Sequence, residues 1–132
     1  MLEHAWLGLV WHPDRRRLYS AGAAENTVTE FVYETGGLKK ARTFVIAKPA
    51  ISLPAGTKDL GGTGFIGGLA VSPDGRRLIA AHVLGRAISR IDLETGTVSQ
   101  TVTLPAEPYT AVFSRDGSTL FVDAAGDGSA LL

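Results

Sequence analysis

Few residues of this sequence have types and spacings that could do chemistry. His82, Arg86 and Glu107 are a base, a cation and an acid, and such a set gathered at one opening can bind an anion or assist a hydrolysis. Gly62-Thr63-Gly64-Phe65-Ile66-Gly67 matches G-x-G-x-x-G. That pattern cradles a dinucleotide phosphate when a strand precedes it and a helix follows. Here loop-like sequence, Thr57 to Gly62, precedes it and strand-like sequence follows, so it reads as a connecting loop, and no nucleotide cofactor is expected. His4 and His12 have no partners at metal-ligand spacing, and a metal site needs three or four ligands, so no metal is expected. Asp123, Asp127 and Ser129 could hold a cation, but a frayed, Gly- and Ala-rich terminus is the simpler account. Asp14, Asp74 and Asp116 recur regularly, yet each sits in a tight-turn sequence where its carboxylate caps backbone N–H groups.

The elements that must position these groups are legible as repeats. A shift of 60 residues lays Gly8–Gly36 on Gly68–Gly96 with 11 identities in 29 positions. Gly8-Leu9, Pro13-Asp14, Arg16-Arg17-Leu18 and Glu34-Thr35-Gly36 each meet their own kind. A shift of 42 lays Ser72, Asp74, Gly75 and Leu78 on Ser114, Asp116, Gly117 and Leu120. That step is the ~40–45 residue period of a four-stranded propeller blade, and the longer one is the same unit with an insertion at 47–67. Within the second copy, Gly68–Ser72 is a short apolar strand and Pro73-Asp74-Gly75 a turn. Ala87–Leu93 and Val98–Leu104 alternate with the period of half-buried antiparallel strands. The fold class is therefore all-β: a β-propeller fragment with two complete four-stranded antiparallel blades plus the inner strands of a third. The blades are expected at 7–46 and 68–104, and the incomplete one at 109–123. Trp6 and Trp11 read as packing between blades.

Thirteen Lys and Arg balance thirteen Asp and Glu, which argues against a nucleic-acid partner, and Arg15-Arg16-Arg17 reads as a solvated turn. With no cysteine there is no disulfide and no thiolate metal site. No apolar run reaches the length of a membrane span, and Met1–Val10 does not read as a signal peptide.

The segments Gly68–Gly75, Arg77–Ala81 and Ile88–Gly96 resemble the YVTN-type (YncE-like) propeller repeat, with its Ser-Pro-Asp-Gly and Thr-Gly turns. Arg15 stands where that pattern has Gly, and Arg115 where it has Pro. The blade end Thr43–Ile46 followed by a spacer resembles propellers joined to an alkaline-phosphatase-like phosphoesterase domain, whose metal motif is absent here. The resemblance implies that His82, Arg86, Glu107 and Tyr109, with Glu25 and Asn26 of the first blade, reach one rim face. These six are the candidate binding residues, for a small anionic ligand or a protein, and an ordinary polar rim is the simpler account of them.

The leading expectation is a non-catalytic binding or scaffolding segment, partnered by the remaining blades of a larger protein. Self-assembly of the chain into a ring is the alternative to that parent. A second reading is part of a lactonase-like hydrolase, in which His82, Arg86 and Glu107 act. A third is the propeller subunit of a redox enzyme, for which the chain has no cysteine to attach haem. Family resemblance points to a periplasmic or secreted location.

Overall fold

The computed structural model describes residues 8–49, 64–125 and 128–131. Every regular element in them is a strand. Strands β1 (Leu9–Trp11), β2 (Arg17–Ala21), β3 (Thr27–Glu34) and β4 (Gly37–Val45) form one antiparallel meander. A second follows with β5 (Ile66–Val71), β6 (Arg77–His82), β7 (Ala87–Asp92) and β8 (Val98–Thr103). A third sheet holds β9 (Glu107–Phe113), β10 (Leu120–Ala125) and β11 (Gly128–Leu131). Two complete four-stranded antiparallel sheets are thus present, as the all-β fold class predicts, and β5 begins two residues before Gly68. The third sheet carries a strand, β11, in the segment expected to fray. It pairs with β10 through Phe121–Leu131 and Asp123–Ser129. No helix among the described residues is long and apolar enough to cross a membrane.

The sheets stack face to face. Tyr19, Val28, Phe44 and Ile46 of the first meet Leu69, Leu78, Ala80 and Ile91 of the second in one apolar core. Ala70, Ile79, Ala81 and Ile88, on the opposite face of the second sheet, meet Ala111, Leu120 and Val122 of the third. A strand's two faces alternate, so each residue of β6 and β7 belongs to one cleft or the other. On the short β1, Val10 packs against the first core, which turns Trp11 to the other side. It is 51% exposed instead of packed between blades. Trp6 lies outside the described residues.

The inner strands approach one another backbone to backbone. A Cβ at Gly8 would sit 2.3 Å from the Gly67 carbonyl oxygen, and one at Gly68 would sit 2.4 Å from that of Tyr109. These glycines head the repeat because nothing larger fits between adjacent blades.

The turn aspartates cap as expected. Asp14 accepts from the amides of Arg16 (2.8 Å) and Arg17 (3.1 Å), Asp74 from that of Arg76 (3.0 Å), and Asp116 from that of Ser118 (3.1 Å). Ser72 and Ser114 add hydroxyl donors to Asp74 and Asp116. These donors hold all three carboxylates below the usual range, Asp116 at about 2. For Asp14 burial pulls the other way and is outweighed. The turns end in a left-handed residue: Gly75 and Gly117 both at φ 72°, and Arg15 at 58° where its copy lacks the glycine.

Candidate functional site

The antiparallel meander sorts the loops into two ends. The β2–β3 and β6–β7 loops and the segments leading into β5 and β9 lie at one end, and the aspartate turns lie at the other. The first end is the expected rim. All six candidate residues belong to it, but they divide into an exposed set and a buried set.

Glu25 and Arg86 are exposed in their loops, Tyr109 is 42% exposed on β9, and Glu107 is half-buried as the first residue of β9. Arg86 sits at φ 46° and Asn26, its counterpart 60 residues earlier, at 54°. In each blade this left-handed residue offers its carbonyl to the end of the fourth strand. Asn26 accepts from the Ile46 amide at 2.9 Å, and Arg86 from the Leu104 amide at 2.7 Å. The second bond ties the Arg86 loop to the segment that delivers Glu107. Among the described residues no hydrogen bond or ion pair joins the side chains of Arg86, Glu107 and Tyr109.

Asn26 and His82 lie beneath the rim. His82 is the last residue of β6, fully buried, and not in the loop beyond it. Its Nδ1–H donates to the Gly64 carbonyl at 2.9 Å; a carbonyl only accepts, which assigns the proton to Nδ1. Nε2 then accepts from the Ser89 hydroxyl at 2.8 Å, and Thr101 lies 3.0 Å from Ser89. Burial pushes the imidazole below its ordinary value, and the Gly64 carbonyl only partly opposes this. A neutral ring with both nitrogens engaged and no exposure is a brace, not a base for a solvent-borne substrate. Asn26 of the first blade borders the brace. Its side chain donates to the Ala24 carbonyl at 3.0 Å and packs against Gly64, where an added Cβ would fall 1.9 Å from Oδ1.

This brace absorbs one glycine of the G-x-G-x-x-G pattern. Gly64 carries the carbonyl for His82, and strand β5 follows from Ile66. Gly62 and Thr63 lie outside the described residues. Ser89 and Thr101 were not singled out by sequence, although a signal was present. Leu78, Ala80 and His82 share one face of β6, and Ala87, Ser89 and Ile91 share the facing row of β7. A polar residue ending or interrupting an apolar row is a buried one in need of a partner. Among the described residues no three His, Asp or Glu side chains are grouped to hold a metal ion.

Comparison with known proteins adds a family and a fold. Residues 7–126 match the SMP-30/Gluconolactonase/LRE-like region family. Regucalcin of Danio rerio is 31% identical over 126 residues, which are 92% of this chain and 38% of that protein. Regucalcin of Gallus gallus is 28% identical over 125 residues, with the same coverage of 92% and 38%. The chain therefore spans well under half the length of these curated relatives. Among solved structures, hydrazine synthase of Kuenenia stuttgartiensis superposes with a TM-score of 0.70 at 19% identity, over 91% of this chain and 29% of the other. The β-propeller domain of Cps50 (Swd1) from Myceliophteria thermophila gives 0.68 at 22% identity, over 97% and 35%. At such identities the two structures establish the β-propeller fold alone.

Proposed function

The chain belongs to the SMP-30/gluconolactonase/LRE-like family, and from that membership we propose that it is part of a lactonase-like propeller whose rim receives a sugar lactone. The match across residues 7–126 carries this reading. It moves the hydrolase ahead of the non-catalytic scaffold that the repeats alone favour.

The rim chemistry suits the reaction. Lactone opening needs water made nucleophilic and a donor for the charge that grows on the carbonyl oxygen. Glu107 would take a proton from water as its oxygen bonds to the lactone carbonyl carbon. Arg86 would face the developing oxyanion. Collapse of the resulting tetrahedral intermediate breaks the ring C–O bond, and the ring oxygen leaves as a hydroxyl by taking back from Glu107 the proton removed from water. His82 positions the loop and does not touch substrate.

Turnover of glucono-1,5-lactone by the full-length protein, followed by acid release in a pH-stat, tests this. Glu107→Gln and Arg86→Met should each lower kcat/KM by about 100-fold. Absent turnover, or turnover indifferent to both changes, would return the chain to a binding or scaffolding role. The narrower YVTN-type reading and an attached phosphoesterase domain rest on the turn motifs and on Thr43–Ile46, and sequence flanking the chain would decide them.

A further inference from the structure

Between the second and third sheets, running along the strands from the aspartate-turn end, lies a cleft of about 430 Å³, within the roughly 300–1,000 Å³ usual for small-molecule sites. Ile79, Ile88 and Val102 form one apolar wall, and Phe113 and Leu120 form the other. The polar lining is Arg77, Arg90, Gln100 and Ser118, and no acidic side chain lines the cleft.

The two arginines differ in how they are held. Arg77 donates to the Gly117 carbonyl at 3.1 Å, lies 3.8 Å from the Asp74 carboxylate, and has its guanidinium 5.2 Å from the centre of the Phe113 ring. The exposed Arg90 makes no side-chain hydrogen bond or ion pair among the described residues. Asp92, which pairs with Arg77 across β6–β7, instead spends its carboxylate on the amides of Glu94 (2.9 Å) and Thr95 (2.8 Å).

The repeat shows what an occupied cleft looks like. Register places Tyr19, Glu30, Arg42 and Phe44 of the first sheet where the second has Ile79, Arg90, Gln100 and Val102. In the first cleft Glu30 pairs with Arg42 at 3.2 Å, and two aromatic rings fill the space. In the second cleft both rings are replaced by aliphatic side chains. The acid is replaced by a cation, and its partner by a neutral amide. The result is an apolar slot with positive charge and no acidic side chain on its lining; the nearest carboxylate is that of Asp74 beside Arg77, and Arg90 has no ion-pair partner among the described residues.

We propose that this slot binds a small aromatic carboxylate. Its ring would lie between Phe113 and the Ile79–Ile88–Val102 wall, and its carboxylate would engage Arg90 and Arg77. A guanidinium recognises a carboxylate by paired N–H···O bonds, and the apolar walls reject a fully hydrated ion such as sulfate. The lining contains none of the six rim candidates, so the proposal does not rest on a lactone reaction there.

The test is a titration of the purified protein with 3-phenylpropionate and, separately, with uncharged 3-phenylpropanamide, read by NMR shifts of Gly117, Ser118 and the Ile79 and Ile88 methyls. The acid should give saturable shifts confined to these residues. The amide should bind at least about tenfold more weakly, as loss of a charged hydrogen bond implies. Arg90→Glu with Gln100→Arg rebuilds the first cleft's ion pair and should weaken the acid by the same factor. Arg90→Gln, a change at an exposed side chain, gives the same reading should the double variant not fold. Absence of shifts at the cleft, including through its occupation by another segment of the native protein, overturns the proposal. So does equal binding of acid and amide, or undiminished binding in Arg90→Gln.

Discussion

The clefts on either side of the second sheet are built on one plan and finished differently. Both begin with the same inner-strand glycines and the same aspartate turns. Both third strands also slip register at one place, between Glu30 and Phe31 and between Arg90 and Ile91. In the first cleft Arg42 closes the space: it pairs with Glu30, donates to the Leu93 carbonyl at 2.7 Å, and lies 4.6 Å from the centre of the Phe44 ring. Burial, with the Glu30 carboxylate adding to it, pushes the Tyr19 phenol up and keeps it neutral. The second cleft has no such plug. A repeat therefore conserves the frame of an interface while leaving its filling free, and the unfilled copy is the one where a ligand fits.

The two clefts should differ most at the ion pair. Arg42→Ala leaves the buried Glu30 carboxylate without its cation and should cost about 3 kcal/mol in urea unfolding. Gln100→Ala, at the matching position, should cost nearly nothing. Similar losses from the two would show that both clefts are closed.

Next in size is the His82 brace, which only the second sheet has, since Gly22 stands at the matching place. His82→Gln should cost about 2 kcal/mol at neutral pH by leaving Gly64 and Ser89 without their fitted partner. It should also alter the pH profile. The folded ring has its pKa below the ordinary 6.5, so the unfolded chain binds the extra proton first. Stability should be complete above pH 6.5 and fall as the pH drops beneath it, and the variant should lose that limb. A separate decline is expected below pH 3.8, as Asp74 and Asp116 reach protonation, and should survive in the variant. Thermal melts from pH 8 to pH 3 read both.

Val102→Phe places in the second cleft the ring that Phe44 supplies to the first. If the slots share a shape, stability rises by about 1 kcal/mol through added apolar burial, and binding of 3-phenylpropionate is lost. Destabilisation would show that the slots differ.

The smallest effect is at the turns. Arg15→Gly relieves a left-handed non-glycine residue and should stabilise by roughly 1 kcal/mol or a little less. Gly75→Ala should do the opposite, because its Cβ would fall 2.5 Å from His12 Nε2.

Much of the frame was legible in the residues. The 60- and 42-residue steps predict a four-stranded antiparallel repeat, and the turn sequences around Asp14, Asp74 and Asp116 predict caps, because turns and alternation are local properties written in consecutive residues. The candidate site was less so. Glu25, Arg86, Glu107 and Tyr109 are exposed or half-exposed at the rim end, but His82 and Asn26 lie beneath it. A residue at a strand's end faces solvent or core according to which neighbouring element covers it, and the Gly64 segment covers these two. Trp11 is exposed, against expectation, for a related reason, since the direction of a side chain on a three-residue strand depends on which face its neighbour Val10 buries.

Taken alone, the sequence determined the all-β repeat, the positions of its turns and the glycines at the head of each blade, since each follows from backbone geometry within a few residues. Strand register and sheet stacking settle which polar side chains are buried braces and which face solvent, and which inter-blade cleft is plugged. Those outcomes depend on pairs such as Glu30 with Arg42, or His82 with Gly64, whose members are 12 and 18 residues apart and meet only when strands register and sheets stack.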